Sequence, residues 1–198
     1  AFTRDLALQK YSVPIDVIHN GIQLAGHEPE IRTRAVPEIV FAGRFIDQKD
    51  PLQVVKILSQ CADLDWHCSM FGDGILKSDV EAEIQRAGLS NRFSLPGWVT
   101  PREAEEHFQQ SDILLMPSRS EGLPVVGVQA LAAGLCLVVS RVGGFLELVD
   151  EGINGFLLPP GGGELWVQAV RELLARPEKL LEMRQASLQK VVQFDLEK

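Results

Sequence analysis

Four polar side chains stand out for the chemistry their types and positions allow. Arg44 and Lys49 follow a short apolar run, Glu121 stands at the mouth of a long apolar stretch, and Gln129 stands inside it. A guanidinium forks onto two oxygens and an ammonium adds a point charge, so Arg44 with Lys49 has the makings of a phosphate clamp. Two solvated cations are the plainer alternative. Glu121 is suited to accept hydrogen bonds from sugar hydroxyls, or else is simply a carboxylate favoured by the dipole at a helix start. Across residues 122–139 every side chain is small or apolar except Gln129. A buried amide needs partners, which a ligand or a neighbouring backbone would supply equally well.

The elements that must position these groups follow from the hydrophobic pattern. The apolar run Ile113–Met116 reads as a buried strand, and 117–121 as a polar turn. Pro124 fits the first turn of the next helix and Gly134 its stop. That helix is apolar nearly all round, which places it inside the protein. Its first N–H groups and positive dipole end suit an anion.

The same strand-then-helix rhythm starts at residue 39. Strands are expected at 39–43, 66–71, 93–95, 113–116, 137–140 and 156–158. Helices are expected at 51–62, 76–87, 101–110, 124–134, 145–149, 164–175 and 178–193. Caps are expected from Asp50 with Pro51 and Gln53, from Ser78 with Glu81, and from Thr100 with Glu103. Continuous apolar strands between helices predict an α/β fold, a doubly wound, Rossmann-like parallel sheet of about six strands. In such a sheet ligands bind beyond the carboxyl ends of the strands. The unusual glycine and polar positions fall there: Gly43-Arg44, Gly72-Asp73-Gly74, Gly97-Trp98-Val99, Ser118 to Gly122, and Gly143-Gly144.

Composition narrows the function classes. A net charge of −8 argues against a nucleic-acid or anionic-membrane surface. Cys61, Cys68 and Cys136 form no C-x-x-C pair, which favours structural thiols in a reduced compartment. Asp63-Leu64-Asp65 matches a D-x-D string but precedes a strand, at the edge away from the glycine loops, and reads as a solvated turn. His19, His27, His67 and His107 have no ligand spacing, so no metal is expected. The first strand is not followed by G-x-G-x-x-G, and there is no P-loop and no G-x-S-x-G elbow. The sequence opens on Ala1 and is expected to be a piece of a longer protein.

Seven strings in order carry a family resemblance: V-I-H-N-G-I (17–22), F-A-G-R-F…K (41–49), F-G-D-G (71–74), L-P-G-W-V (95–99), P-S-R-S-E-G-L-P-V-V (117–126), G-G-F-L-E-L-V (143–149) and E-G-I-N-G-F-L (151–157). The chain resembles the C-terminal, donor-binding half of a retaining glycosyltransferase of family four, or group 1, with the two-domain GT-B architecture. The resemblance implies that Arg44 and Lys49 bind the diphosphate of a nucleotide-sugar. It implies that Gly122, Leu123, Pro124 and Val125 form the helix start facing the diphosphate and sugar. Glu121 would hold a donor-sugar hydroxyl, with Gly43 and Gly72 in the donor-binding loops. Val99 lies where the family's backbone meets the base, and Gln129 occupies the place of a glutamate expected on the ribose.

The implied organisation is an interdomain segment over 1–37, a nucleotide-sugar-binding domain over 38–185, and the start of a closing crossover helix over 186–198. The implied reaction is retaining transfer of a hexose-type sugar without a metal or other cofactor, with Arg44, Lys49 and Glu121 as its catalytic residues. The acceptor would sit on an N-terminal half outside these residues, and a fragment alone would not transfer sugar. The expected compartment is the cytoplasm, with any membrane association carried by that other half. The resemblance names neither base, sugar nor acceptor. A non-catalytic nucleotide-binding subunit, for which Gln129 speaks, and a GT-B-shaped nucleotide-sugar epimerase remain as alternatives.

Overall fold

A computed structural model describes residues 29, 31–122 and 124–196. The 17–22 string, most of the 1–37 segment and Leu123 lie outside the described residues.

Six strands form one sheet: β1 (Glu38–Ala42), β2 (His67–Phe71), β3 (Phe93–Gly97), β4 (Ile113–Met116), β5 (Cys136–Ser140) and β6 (Gly155–Leu158). Their order is β3-β2-β1-β4-β5-β6, and every neighbouring pair is parallel. The helices are α1 (Pro51–Ser59), α2 (Lys77–Arg86), α3 (Pro101–Gln109), α4 (Val125–Ala132), α5 (Phe145–Leu148), α6 (Glu164–Ala175) and α7 (Pro177–Val191), followed by a 3-10 turn at Val192–Phe194. Every residue of β4 and β5 is buried. Successive strand side chains point to opposite faces, so both faces of the sheet are covered. α1 packs on α2 and α6, and α4 packs on α3 and α7. This is the doubly wound α/β fold expected from the alternation. Trp66 and Trp166 are fully buried, and their indole N–H groups donate to the carbonyls of Cys61 and Pro159. The helices pack without polar conflict because these tips are satisfied.

Three local expectations change. Asp50 does not cap α1. It sits in the left-handed region (φ 49°) with no cap hydrogen bond, and its carboxylate goes to Arg119 instead. Pro51 disfavours the helical conformation for the residue before it. Ser78 and Glu81 form no capping box, because the chain has already turned at Gly74 and entered α2 at Lys77. Pro124 stands just before α4, extended, and its carbonyl accepts from the N–H groups of Gly127 and Val128. The box at Thr100 and Glu103 forms with both of its hydrogen bonds.

The expected crossover-helix boundary at 185/186 falls inside α7. Beyond it Ser187, Val191 and Phe194 are buried. α7 lies along α4 and continues the core rather than leaving it. No helix among the described residues is long and apolar enough to cross a membrane.

Candidate functional site at the switch point

The strand order reverses between β1 and β4, so the loops leaving these two strands diverge and open a crevice. All four polar residues singled out in the sequence belong to these two loops or to the helix behind the second. The loops along this edge are stitched together by backbone. Gly43 N–H donates to the Phe71 carbonyl and Phe45 N–H to that of Asp73, both at 2.9 Å. Gly72 N–H donates to Gly97 O at 2.8 Å. On the other side Gly144 N–H donates to Gly122 O at 2.6 Å. Two glycines are required by this closeness. A Cβ on Gly72 would lie 2.0 Å from Gly43 O, and one on Gly143 would lie 1.8 Å from Glu121 O, both at positive φ. Five loops therefore converge on one edge, as the sequence indicates.

Between the two central loops stands an ion pair. Lys49 Nζ donates to both carboxylate oxygens of Glu121, at 2.6 and 2.7 Å. The lysine stem lies over Gly43. Flanking contacts join the same loops: Arg119 N–H to Gln48 O at 2.8 Å, Gln48 Nε2 to Ser120 O at 3.1 Å, and Arg119 Nη2 to Asp50 Oδ2 at 2.9 Å. Arg44 projects from the same β1 loop, exposed and without an ion-pair partner among the described residues. The start of α4 follows the β4 loop, and the N–H groups of Val125 and Val126 have no intrahelical acceptor. Val125 on that turn is 52% exposed, so the apolar helix is buried along its length but open at its mouth.

Gln129 is half-buried on the second turn of α4, and its side chain makes no hydrogen bond among the described residues. The expectation of full burial does not hold, and among the described residues no neighbouring backbone takes its amide. Val99 follows Gly97 on the β3 loop and packs partly against the core, while its neighbour Trp98 is 66% exposed. Asp73 accepts from the Gly74 N–H and from Lys77, and these bonds lower its pKa below the usual carboxylate value.

The D-x-D aspartate at the opposite edge is engaged. Arg171 on α6 forks onto Asp63 with two bonds of 2.6 Å, which makes Asp63 a tie between helix and loop. Among the described residues no three histidine, cysteine or acidic side chains gather as metal ligands. The sequence missed the Lys49–Glu121 contact. The signal for it was opposite charge on two loops that leave the strands flanking the switch point.

The model of the glycosyl transferases group 1 family matches residues 29–190. The chain belongs to this family. It is 31% identical over 147 residues to the 2-deoxystreptamine glucosyltransferase of Streptomyces kanamyceticus, a match covering 73% of this chain and 38% of that relative. Solved structures share the fold. Staphylococcus aureus TarM, in a complex that includes UDP, superposes with a TM-score of 0.88 at 14% identity, over 99% of this chain and 40% of TarM. Anabaena HepE in complex with UDP-glucose superposes with a TM-score of 0.74 at 23% identity, over 81% of this chain and 45% of HepE. The chain thus spans well under half the length of these proteins.

Proposed function

We propose that this chain is the donor-binding half of an enzyme that moves a hexose-type sugar from a nucleoside-diphosphate sugar to an acceptor, with retained anomeric configuration and without a metal. The observation that carries the proposal is the Lys49–Glu121 pair at the switch point, beside Arg44 and the open start of α4. Cleavage of the donor bond builds negative charge on the leaving diphosphate. Arg44, Lys49 and the α4 N–H groups would stabilise it, and one such contact typically lowers the barrier by about 2.7–4 kcal/mol. These groups supply the positive charge that a divalent cation would otherwise bring. Glu121, released from Lys49 by the arriving diphosphate, accepts from sugar hydroxyls, and Gln129 meets the ribose. The UDP and UDP-glucose held by the two structural relatives support this class of donor.

The acceptor would sit on a second half of the protein, outside these residues. This chain alone would bind donor weakly and transfer nothing, because proximity and water exclusion need both walls of the cleft. Three buried free thiols support a reduced, cytoplasmic setting. The open amide of Gln129 favours one second reading, a subunit that holds nucleotide without turnover. Calorimetry of the chain with UDP, GDP and ADP, each with Mg²⁺ and with a chelator, tests the donor site. Binding that needs no Mg²⁺ and weakens in Lys49→Ala and Arg44→Ala supports it, and binding indifferent to both substitutions removes it. Proton NMR of the glycoside formed by the complete protein decides between retention, inversion and no turnover.

A further inference from the structure

The lysine of the candidate site is held by a contact that none of its expected roles requires. Residues 48, 49 and 50 of the β1 loop each meet the β4 loop: Gln48 at Arg119 and Ser120, Lys49 at Glu121, and Asp50 at Arg119. Among the described residues Asp50 is the only non-glycine residue with positive φ. A side chain is strained there, least so for asparagine and aspartate. Pro51 adds its own restriction on Asp50. The Asp50 carbonyl accepts from the Gln53 N–H at 3.0 Å, but its carboxylate caps nothing, so the side chain does not serve the helix. What the conformation achieves is direction. It turns a carboxylate that is only 12% exposed across the crevice onto Arg119 Nη2, while the preceding residue sends its ammonium to Glu121.

We infer that the Asp50–Arg119 bridge is a positioning strut, which fixes the spacing of the two switch-point loops and thereby holds Lys49 where the donor diphosphate must meet it. This rests on the donor-site reading above. Asp50 and Arg119 touch no substrate. They act through Lys49, by removing the freedom of the loop that carries it, so that less order has to be imposed when the ligand arrives. A strut that served only stability would shift the melting temperature and leave the affinity of the folded protein alone.

The experiment titrates UDP, GDP and ADP into the unaltered chain and into variants, with the melting temperature of each recorded. Asp50→Asn and Arg119→Gln are each expected to weaken the best-bound diphosphate about threefold to fivefold, the range of a partly exposed ion pair. The double variant is expected to lose no more than either single one. Asp50→Gly keeps the left-handed turn without strain and is expected to lose as much as Asp50→Asn, while Arg119→Lys recovers part of the affinity. In a Lys49→Ala background Asp50→Asn is expected to be silent. Failure of all three diphosphates to bind, or indifference to Lys49→Ala, overturns the donor reading and the strut with it. A Lys49→Ala loss combined with unchanged affinity in Asp50→Asn and Arg119→Gln overturns the strut alone. So does a loss in Asp50→Asn that is undiminished in the Lys49→Ala background.

Discussion

Lys49 Nζ bridges both carboxylate oxygens of Glu121, at 2.6 and 2.7 Å, across the point where the strand order reverses. The two side chains are 17% and 5% exposed, so the pair is not one of the solvent-screened contacts that contribute nothing measurable. On the proposed donor reading each partner is the other's competitor for ligand: a diphosphate would have to win the ammonium from Glu121, and a sugar hydroxyl would need a carboxylate that Lys49 no longer occupies.

This competition makes Glu121→Gln informative. The amide keeps the size but loses the charge, so Lys49 is freed for a diphosphate. The best-bound bare nucleoside diphosphate is expected to bind more tightly, by about 0.5–1 kcal/mol. The preference for its hexose conjugate over the bare diphosphate is expected to fall, because an amide spends half its capacity as a donor. Calorimetry with both ligands reads the two effects separately. Weaker binding of the bare diphosphate would show that Glu121 orders Lys49 more than it competes for it.

Gln129 offers a second separation. Its half-exposed amide has no partner among the described residues, so truncation costs the fold little. Gln129→Ala is expected to leave stability within about 0.5 kcal/mol, as for a surface substitution, while weakening the best-bound nucleoside diphosphate and its hexose conjugate equally. Gln129→Glu restores an acceptor pair for two ribose hydroxyls and is expected to tighten both by up to about 1.5 kcal/mol. Urea denaturation and calorimetry on the same samples check this. Unchanged affinity for both ligands in Gln129→Ala would take the ribose away from Gln129.

Much of this was legible because parallel strands announce themselves. Ile113–Met116 and the apolar segments around it have one physical use, burial between two helix layers, and their spacing fixed six strands. Gly72 and Gly143 were legible as loop glycines, but not the backbone oxygens that forbid a Cβ there, because those come from other strands. Asp50 was misread for a related reason. Ahead of Pro51 and Gln53 it has the local form of a cap, and only the distant Arg119 diverts its carboxylate. Gln129 was placed too deep, since an apolar run does not reveal that one end of its helix opens onto a crevice.

The capping box of α3 gives a pH-dependent prediction. Hydrogen bonds from the Thr100 backbone N–H and side chain lower the pKa of Glu103 below its model-peptide value. A depressed carboxylate binds its proton more weakly in the folded state. Its contribution is therefore complete above the unfolded pKa, about 4.3, and is lost as pH falls through the lower folded value. Thr100→Ala is expected to cost about 1 kcal/mol at pH 7. Glu103→Gln is expected to destabilise at pH 7 and to converge on the unaltered chain near pH 3. Urea titrations at the two pH values test this, and an equal deficit at both would mean that the charge of Glu103 plays no part.

The buried pair at the other edge of the sheet makes the largest claim on stability. Arg184 on α7 is 3% exposed and Asp112, just before β4, is 1% exposed. Arg184 Nη1 donates to Asp112 Oδ1 at 2.5 Å, and other guanidinium N–H groups reach the carbonyls of Gly134, Arg32 and Ser111. Asp112 also accepts from the Glu38 N–H at 2.8 Å, at the start of β1. Burial raises the Asp112 pKa and lowers that of Arg184, and the part-exposed Arg34 adds a second cation at 3.4 Å from Asp112 Oδ1. Arg184→Met leaves the buried carboxylate with only the part-exposed Arg34 as a cation, 3.4 Å away, and is expected to cost about 3 kcal/mol at neutral pH, the lower end of the range for a broken buried pair. That deficit has a predictable sign with pH. A carboxylate whose folded pKa lies above its unfolded value holds its proton more tightly when folded. The penalty is absent below the unfolded pKa and grows as pH rises towards and through the folded one. Arg184→Met is thus expected to be closer to the unaltered chain at pH 5 than at pH 8. Asp112→Asn added to it is expected to recover part of the loss and to flatten the pH dependence, because no charge is then stranded. Urea denaturation of the single and double variants at both pH values measures this. Strict additivity with no pH dependence would show that Arg184 holds α7 through the three carbonyls, and that its charge contributes nothing.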